Sequence, residues 1–147
     1  MSTPRVVLDR NVVVSAAIQP AGVPASIVEL VALRALTRCL SDHVLAGCRA
    51  VLARRKFARL DQQHVARLLG LLAAEAELVT PARRVAVSRD EPDNRVLECA
   101  EAAGAACLVT GNTKHFPKRH RGTHIVNPRE YLDIILVRRQ PIAGTAE

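Results

Sequence analysis

The chain has 147 residues, 49% of them hydrophobic and only 2% aromatic, with a formal net charge of +7 and a pI of about 10.1. This length suits one domain with a sizeable core. The apolar content argues against a disordered tail, and the scarcity of aromatic rings argues against the stacking platforms of single-strand binders.

A positive balance of this size favours a polyanionic partner. The four cysteines, Cys39, Cys48, Cys99 and Cys107, form no C-x-x-C pair and read as reduced, mostly buried thiols. The opening reads as a short polar lead and then a strand, so no signal peptide is expected, and no apolar run reaches the roughly 18 residues of a membrane span. A cytoplasmic protein without membrane contact is expected.

In chain order, "RVVLD" at 5–9 reads as a buried strand, short and β-branched without alternation. Residues 11–18 follow as a helix ending before "QPAG". Pro24 opens a second helix over 24–36, with apolar residues at helical spacing. A short strand lies around 38–40, and Ser41 caps a helix over 42–54. Asp61 caps another, "QQHVARLLGLLAAEA". A short strand follows at 77–80.

"SRDEPDN" is turn chemistry leading into the helix "RVLECAEAAG", which Gly104 stops. "CLVT" at 107–110 is a strand and "GN" a turn. A last strand sits in "THIVNP", and a last helix, "PREYLDIILV", starts at Pro128. Residues 138–147 read as a loose tail, leaving 1–137 as a single domain. Strands alternating with helices predict a parallel sheet covered on both faces.

In such a sheet, ligands bind beyond the carboxyl ends of the strands. Asp9 ends the first strand. Asp93, with Asp90 just before it, opens the helix after "SRDEP", and Asn112 follows "CLVT". Carboxylate and amide oxygens converging at one rim are a hard-ligand site for Mg²⁺ or Mn²⁺, able to bring a phosphate oxygen and a water together. The same residues also have a plain structural reading. A carboxylate at a strand end caps the next helix, and Asn112 suits a tight turn.

Taken together, "VVLDRNVVVSA", "DEPDNRVLECA", "GAACLVTGNTKHFP" and "IVNP" resemble the PIN domain family, in particular the VapC-like toxin components of toxin–antitoxin systems. The resemblance runs from about residue 5 to 137. It implies a three-layer α/β/α sandwich with a central parallel sheet of four to five strands, and metal-dependent ribonuclease activity using Mg²⁺ or Mn²⁺. Asp9 falls on the family's first acid, with Asn11 and Ser15 as its supporting polar positions. Asp93 falls on the acid of the later helix, and Asp90 is an extra acid nearby. Asn112 stands where a further Asp is usual.

Three departures bear on activity. Gly47 occupies the place of a Glu in the helix after the second strand. "LDRN" puts Arg10 where a small hydroxyl is usual, and "GAA" puts Ala106 where "GAD" is usual. Two of the four usual acids remain. Arg10 has three readings: a guanidinium pairing with Asp9 or Asp93 in the cation's place, an outward contact to RNA phosphate, or a solvated residue at a helix start. Two carboxylates and an amide carry less charge than four acids, so a weakened metal site is expected.

The basic loop 114–124 offers Lys114, Lys118, Arg119 and Arg121 to an RNA backbone, or is simply a solvated loop. His115 reads as a turn residue, a phosphate contact or a substitute metal ligand. The leading expectation is an endoribonuclease toxin with Asp9, Asp93 and Asn112 as its catalytic residues. RNA, a cognate antitoxin and a second copy of the chain are its partners. The alternative is a degenerate, non-catalytic PIN domain that binds RNA or a protein.

Overall fold

Val6, Val7 and Leu8 have no exposed surface, nor do Leu108 and Val109, far along the chain. Residues of this kind on both pleat faces require cover on both sides. The computed structural model describes residues 3–139 and provides that cover. Its strands are β1 (Arg5–Leu8), β2 (Thr37–Leu40), β3 (Glu77–Leu78), β4 (Cys107–Val109), β5 (Arg119–His120) and β6 (Thr123–Val126). They form one sheet in the order β3-β2-β1-β4-β6-β5. Five run parallel, and β5 pairs antiparallel with β6 at one edge.

The helices are α1 (Arg10–Ile18), α2 (Val23–Ala32), α3 (Asp42–Leu52), α4 (Gln62–Ala74), α5 (Glu91–Ala103) and α6 (Pro128–Arg139). Val6, Leu8, Cys107, Val109 and Val126 point to a core shared with α1, α2, α4 and α6. Val7, Cys39, Leu108 and Ile125 point the other way, to a core built mainly on α5. The α3 helix bridges the layers, with Cys48 and Leu52 in the first core and Val44 in the second. This is the expected α/β/α sandwich on a parallel sheet, extended by the two-residue antiparallel edge strand β5.

Most element boundaries follow the sequence. Ser41 Oγ accepts the Val44 amide at 3.3 Å, and Asp61 Oδ1 accepts those of Gln63 and His64, so both expected caps form. Gly104 closes α5 in the left-handed conformation, φ +59°. The α2 helix stops at Ala32, short of the expected residue 36, because Arg34 turns left-handed with φ +59°. The α5 helix begins at Glu91, four residues before the expected start, with Pro92 in its first turn where no amide donor is needed. The α6 helix continues to Arg139. The rest of the expected tail, 140–147, lies outside the described residues.

All four cysteines are buried. Among the described residues no single helix is long and apolar enough to cross a membrane. Arg38 on β2 is 1% exposed. Its Nη1 reaches the Leu72 carbonyl at 3.4 Å and its Nη2 lies 4.0 Å from Cys48 Sγ. No carboxylate pairs with it among the described residues.

Candidate functional site

Connections from β1 lead to β2 and β3 on one side, while β4 and β6 lie on the other. The switch between β1 and β4 opens a crevice outside their carboxyl ends, the place where parallel sheets bind ligands. Asp9 and Thr110, the residues that follow these two strands, form its floor.

Asp9 is 4% exposed and well held. Its Oδ1 accepts the Arg10 amide at 2.8 Å, capping α1, and its Oδ2 accepts the Thr110 hydroxyl at 2.8 Å. Burial pushes its carboxyl above the usual range, and these two hydrogen bonds oppose the shift. Asp9 is therefore a helix cap and, at the same time, a buried carboxylate at the rim.

Asp93 stands in the first turn of α5 and is 7% exposed. Its Oδ2 is buried without a hydrogen-bond partner. Burial, then the charges of Asp9 and Asp90, push its carboxyl up to about 6. Such a group lacks a cation. The closest positive candidate is His115, whose Nδ1 lies 3.7 Å from Asp93 Oδ2. Donor atoms of Asp90, Asp93 and His115 all lie within 4.8 Å of one another. Two buried, mutually repelling carboxylates with one orphaned oxygen fit a divalent ion.

The turn before α5 is wired in place by that helix itself. Asn94 Oδ1 accepts the amides of Val87 and Ser88 at 3.1 and 2.8 Å, and its Nδ2 donates to the Ser88 carbonyl at 2.9 Å. Arg95 and Glu98 pair at 2.9 Å and clamp both backbone groups of Val85. Ser88 Oγ donates to the His115 carbonyl at 3.0 Å and accepts the Asp90 amide at 3.2 Å. One hydroxyl thus ties the two loops that carry Asp90 and His115. Neither Asn94 nor Ser88 was singled out from sequence, although "DEPDN" did mark the turn.

Asn11 sits on α1 against the turn after β4. Its Oδ1 accepts the Gly111 amide at 3.0 Å and its Nδ2 reaches Thr110 Oγ at 3.4 Å. Asn112 is exposed on the same turn, its amide donating to Thr110 Oγ at 3.0 Å. Ser15 is exposed one turn further along α1. Arg10 is half-buried, and its charge lowers the carboxyl values of both Asp9 and Asp93. It forms no ion pair with either among the described residues, so the charge-replacement reading of Arg10 lacks its contact.

A cavity of about 370 Å³ beside Asp9 is lined by Arg10, His43, Gly47, Arg84 and Arg95 among others. A Cβ built on Gly47 meets nothing within 4 Å. The missing Glu thus leaves open space next to Asp9. A second cavity of about 590 Å³, on the Asp90 side, is lined by Arg89, Lys114, His115 and Phe116.

Other expected residues lie elsewhere. Ala106 is exposed at the start of β4, about 13 Å of strand from Thr110. An acid there would not reach the crevice, so this departure does not bear on the site. Lys118 is exposed beyond the second cavity. Arg119 and Arg121 flank the β5–β6 turn at the opposite rim. Arg121 pairs at 2.9 Å with Glu101, about 12 Å along α5 from Asp93. Of the loop, Lys114 and His115 adjoin the carboxylates, lining the second cavity with Asp90.

The chain matches the PIN domain family over residues 5–114 and belongs to that family. An uncharacterized protein of Methanocaldococcus jannaschii is 26% identical over 110 residues, covering 74% of this chain and 70% of that protein. A chain of VapBC2 from Rickettsia felis, solved bound to a DNA fragment from their promoter, superposes with a TM-score of 0.58 at 19% identity, over 84% of this chain and 98% of that one. The PIN domain of RRP44 from T. brucei superposes with a TM-score of 0.51 at 12% identity, over 92% of this chain and 83% of that one. At these identities the two structures speak for the shared fold.

Proposed function

We propose that the chain is a metal-dependent endoribonuclease that hydrolyses phosphodiesters, as the toxin of a toxin–antitoxin pair. The observation that supports this most is Asp93, a buried carboxylate with an unpartnered oxygen, facing Asp9 across the topological switch point. Asp9, Asp93 and Asp90 would hold Mg²⁺ or Mn²⁺. The ion, when bound, neutralises phosphate charge and makes a water more acidic.

The chain's own residues do the rest. Thr110 and the Arg10 amide fix the Asp9 carboxylate, so that it needs no reorganisation. Asn11 holds the turn that presents Asn112, whose exposed side-chain amide would orient water or phosphate while its backbone amide is held by Thr110. Arg10 and Lys114, on the two cavity walls, supply positive charge to the backbone on either side of the cut. The likeness to a VapBC2 chain supports a protein antitoxin as partner, and a homodimer in the cytoplasm is part of the same proposal.

A second reading, RNA or protein binding without cleavage, is favoured by Gly47 and by Asp9, both of whose carboxylate oxygens already accept hydrogen bonds. Cleavage of single-stranded RNA with Mn²⁺, comparing wild type with Asp93→Asn from the same purification, separates the two. Activity lost in the variant and with EDTA supports the nuclease. Equal activity in both proteins, or none in either, overturns it.

A further inference from the structure

Resting on that reading of the site, we infer that His115 is a metal ligand, and that with Asp90 and Asp93 it makes the centre select a first-row transition metal over Mg²⁺. Three observations converge. Asp93 Oδ2 is buried and accepts no hydrogen bond. The donor atoms of Asp90, Asp93 and His115 all lie within 4.8 Å of one another, and His115 Nδ1 lies 3.7 Å from that oxygen. That separation is too long for a hydrogen bond, yet two donors sharing one ion at roughly 2.1 Å each can lie up to about 4.2 Å apart. The third is accessibility: the imidazole and Asp90 open onto the 590 Å³ cavity, through which a hydrated ion can enter.

The loops are set for this in advance. The Ser88 hydroxyl joins the backbones of His115 and Asp90, and Asn94 locks the turn beneath them. Gly47 and Asn112 stand where carboxylates are usual in the family, so the centre carries less negative oxygen charge, and the His115 nitrogen offers a further donor. Imidazole nitrogen suits first-row transition metals, whereas Mg²⁺ demands oxygen ligands and surrenders its waters reluctantly. His43 faces the other cavity, beside Asp9, and stands outside this set.

The test uses the full chain loaded with Mn²⁺ and reads nitrogen coupling by electron spin-echo envelope modulation. The wild type and His43→Ala should show ¹⁴N modulation from a bound imidazole, and His115→Ala should not. Free-Mn²⁺ titration should show binding roughly tenfold or more weaker in His115→Ala and His115→Gln, at least the loss that even outer partners of metal ligands cost. Mg²⁺ affinity should stay within about twofold of wild type in both. Circular dichroism of both variants checks the fold.

Mn²⁺ binding that requires Asp93 but shows no ¹⁴N modulation would overturn the His115 assignment and leave the nuclease reading standing. Modulation lost in His115→Ala, in a protein that cuts no RNA, would uphold the assignment and sink the nuclease. No Mn²⁺ binding in the wild type would overturn both.

Discussion

Asp93→Asn should stabilise the metal-free chain at pH 8 and do little near pH 4. The Asp93 carboxyl moves from its ordinary 3.8 to about 6 on folding. A raised value means the folded state favours the protonated form. Its stabilising effect is complete below pH 4 and is lost as pH rises through 6, after which the buried charge is a standing penalty. Roughly two pKa units correspond to about 3 kcal/mol at most. Asparagine keeps the shape without the charge, so a gain of about 2 kcal/mol is expected at pH 8, or about 6 °C in Tm for a chain of this size. Urea unfolding in EDTA, followed by far-UV circular dichroism from pH 4 to 8, measures it. Mn²⁺ at about a hundred times its Kd should then stabilise the wild type by about 2.7 kcal/mol and the variant far less. A variant equally or less stable at pH 8 would refute the claim that this carboxylate is buried without a partner.

Asn94→Ala strips three backbone groups of the 87–88 turn of their partner. A loss of about 2–3 kcal/mol is expected, with faster hydrogen exchange at Val87 and Ser88; unchanged exchange would show that the turn stands without it. Arg38→Met removes a buried guanidinium with no carboxylate partner. Thermal melts should show unchanged stability or a gain of up to about 2 kcal/mol, and a clear loss would give the contacts to Leu72 and Cys48 more weight. Gly47→Ala adds a Cβ that meets nothing within 4 Å inside α3. A gain of about 0.5–1 kcal/mol in denaturant unfolding is expected, and a loss would mean the position is not open.

The sandwich was legible because its signals are local and agree with one another. β-branched runs without polar alternation mark doubly covered strands, and Ser41, Asp61 and Gly104 mark helix ends by their own chemistry. Where a boundary was missed, the deciding feature was tertiary or weakly coded. Arg34 turns left-handed without glycine's freedom, so nothing in "ALRAL" announces the end of α2. "DEP" has turn chemistry, but a proline in a first helical turn is also a start signal, and α5 begins there. The β5–β6 pair uses a two-residue strand, too short for any period to show, and its only trace is the Arg121–Gly122 turn with φ +56° at Arg121.

That hairpin explains why the basic loop misled. From sequence, 114–124 is one block of charge after a rim strand, and every cation in it has an equal claim on RNA. In the fold the segment starts at the carboxylate rim and descends the sheet edge, so charge that is contiguous in sequence is split between opposite rims. Lys114 stays with Asp90 and His115, while Arg121 is spent on Glu101. Ala106 fails in the same way, since it precedes β4 and the site follows it. Asp9 and Thr110 meet because β1 pairs with β4, and Asp93 joins them from the first turn of α5. A departure from the family pattern therefore bears on chemistry only when its position lies at the carboxyl rim. By that test Gly47 and Arg10 count and Ala106 does not, and the metal experiments bear most directly on the crevice between Gly47 and His115.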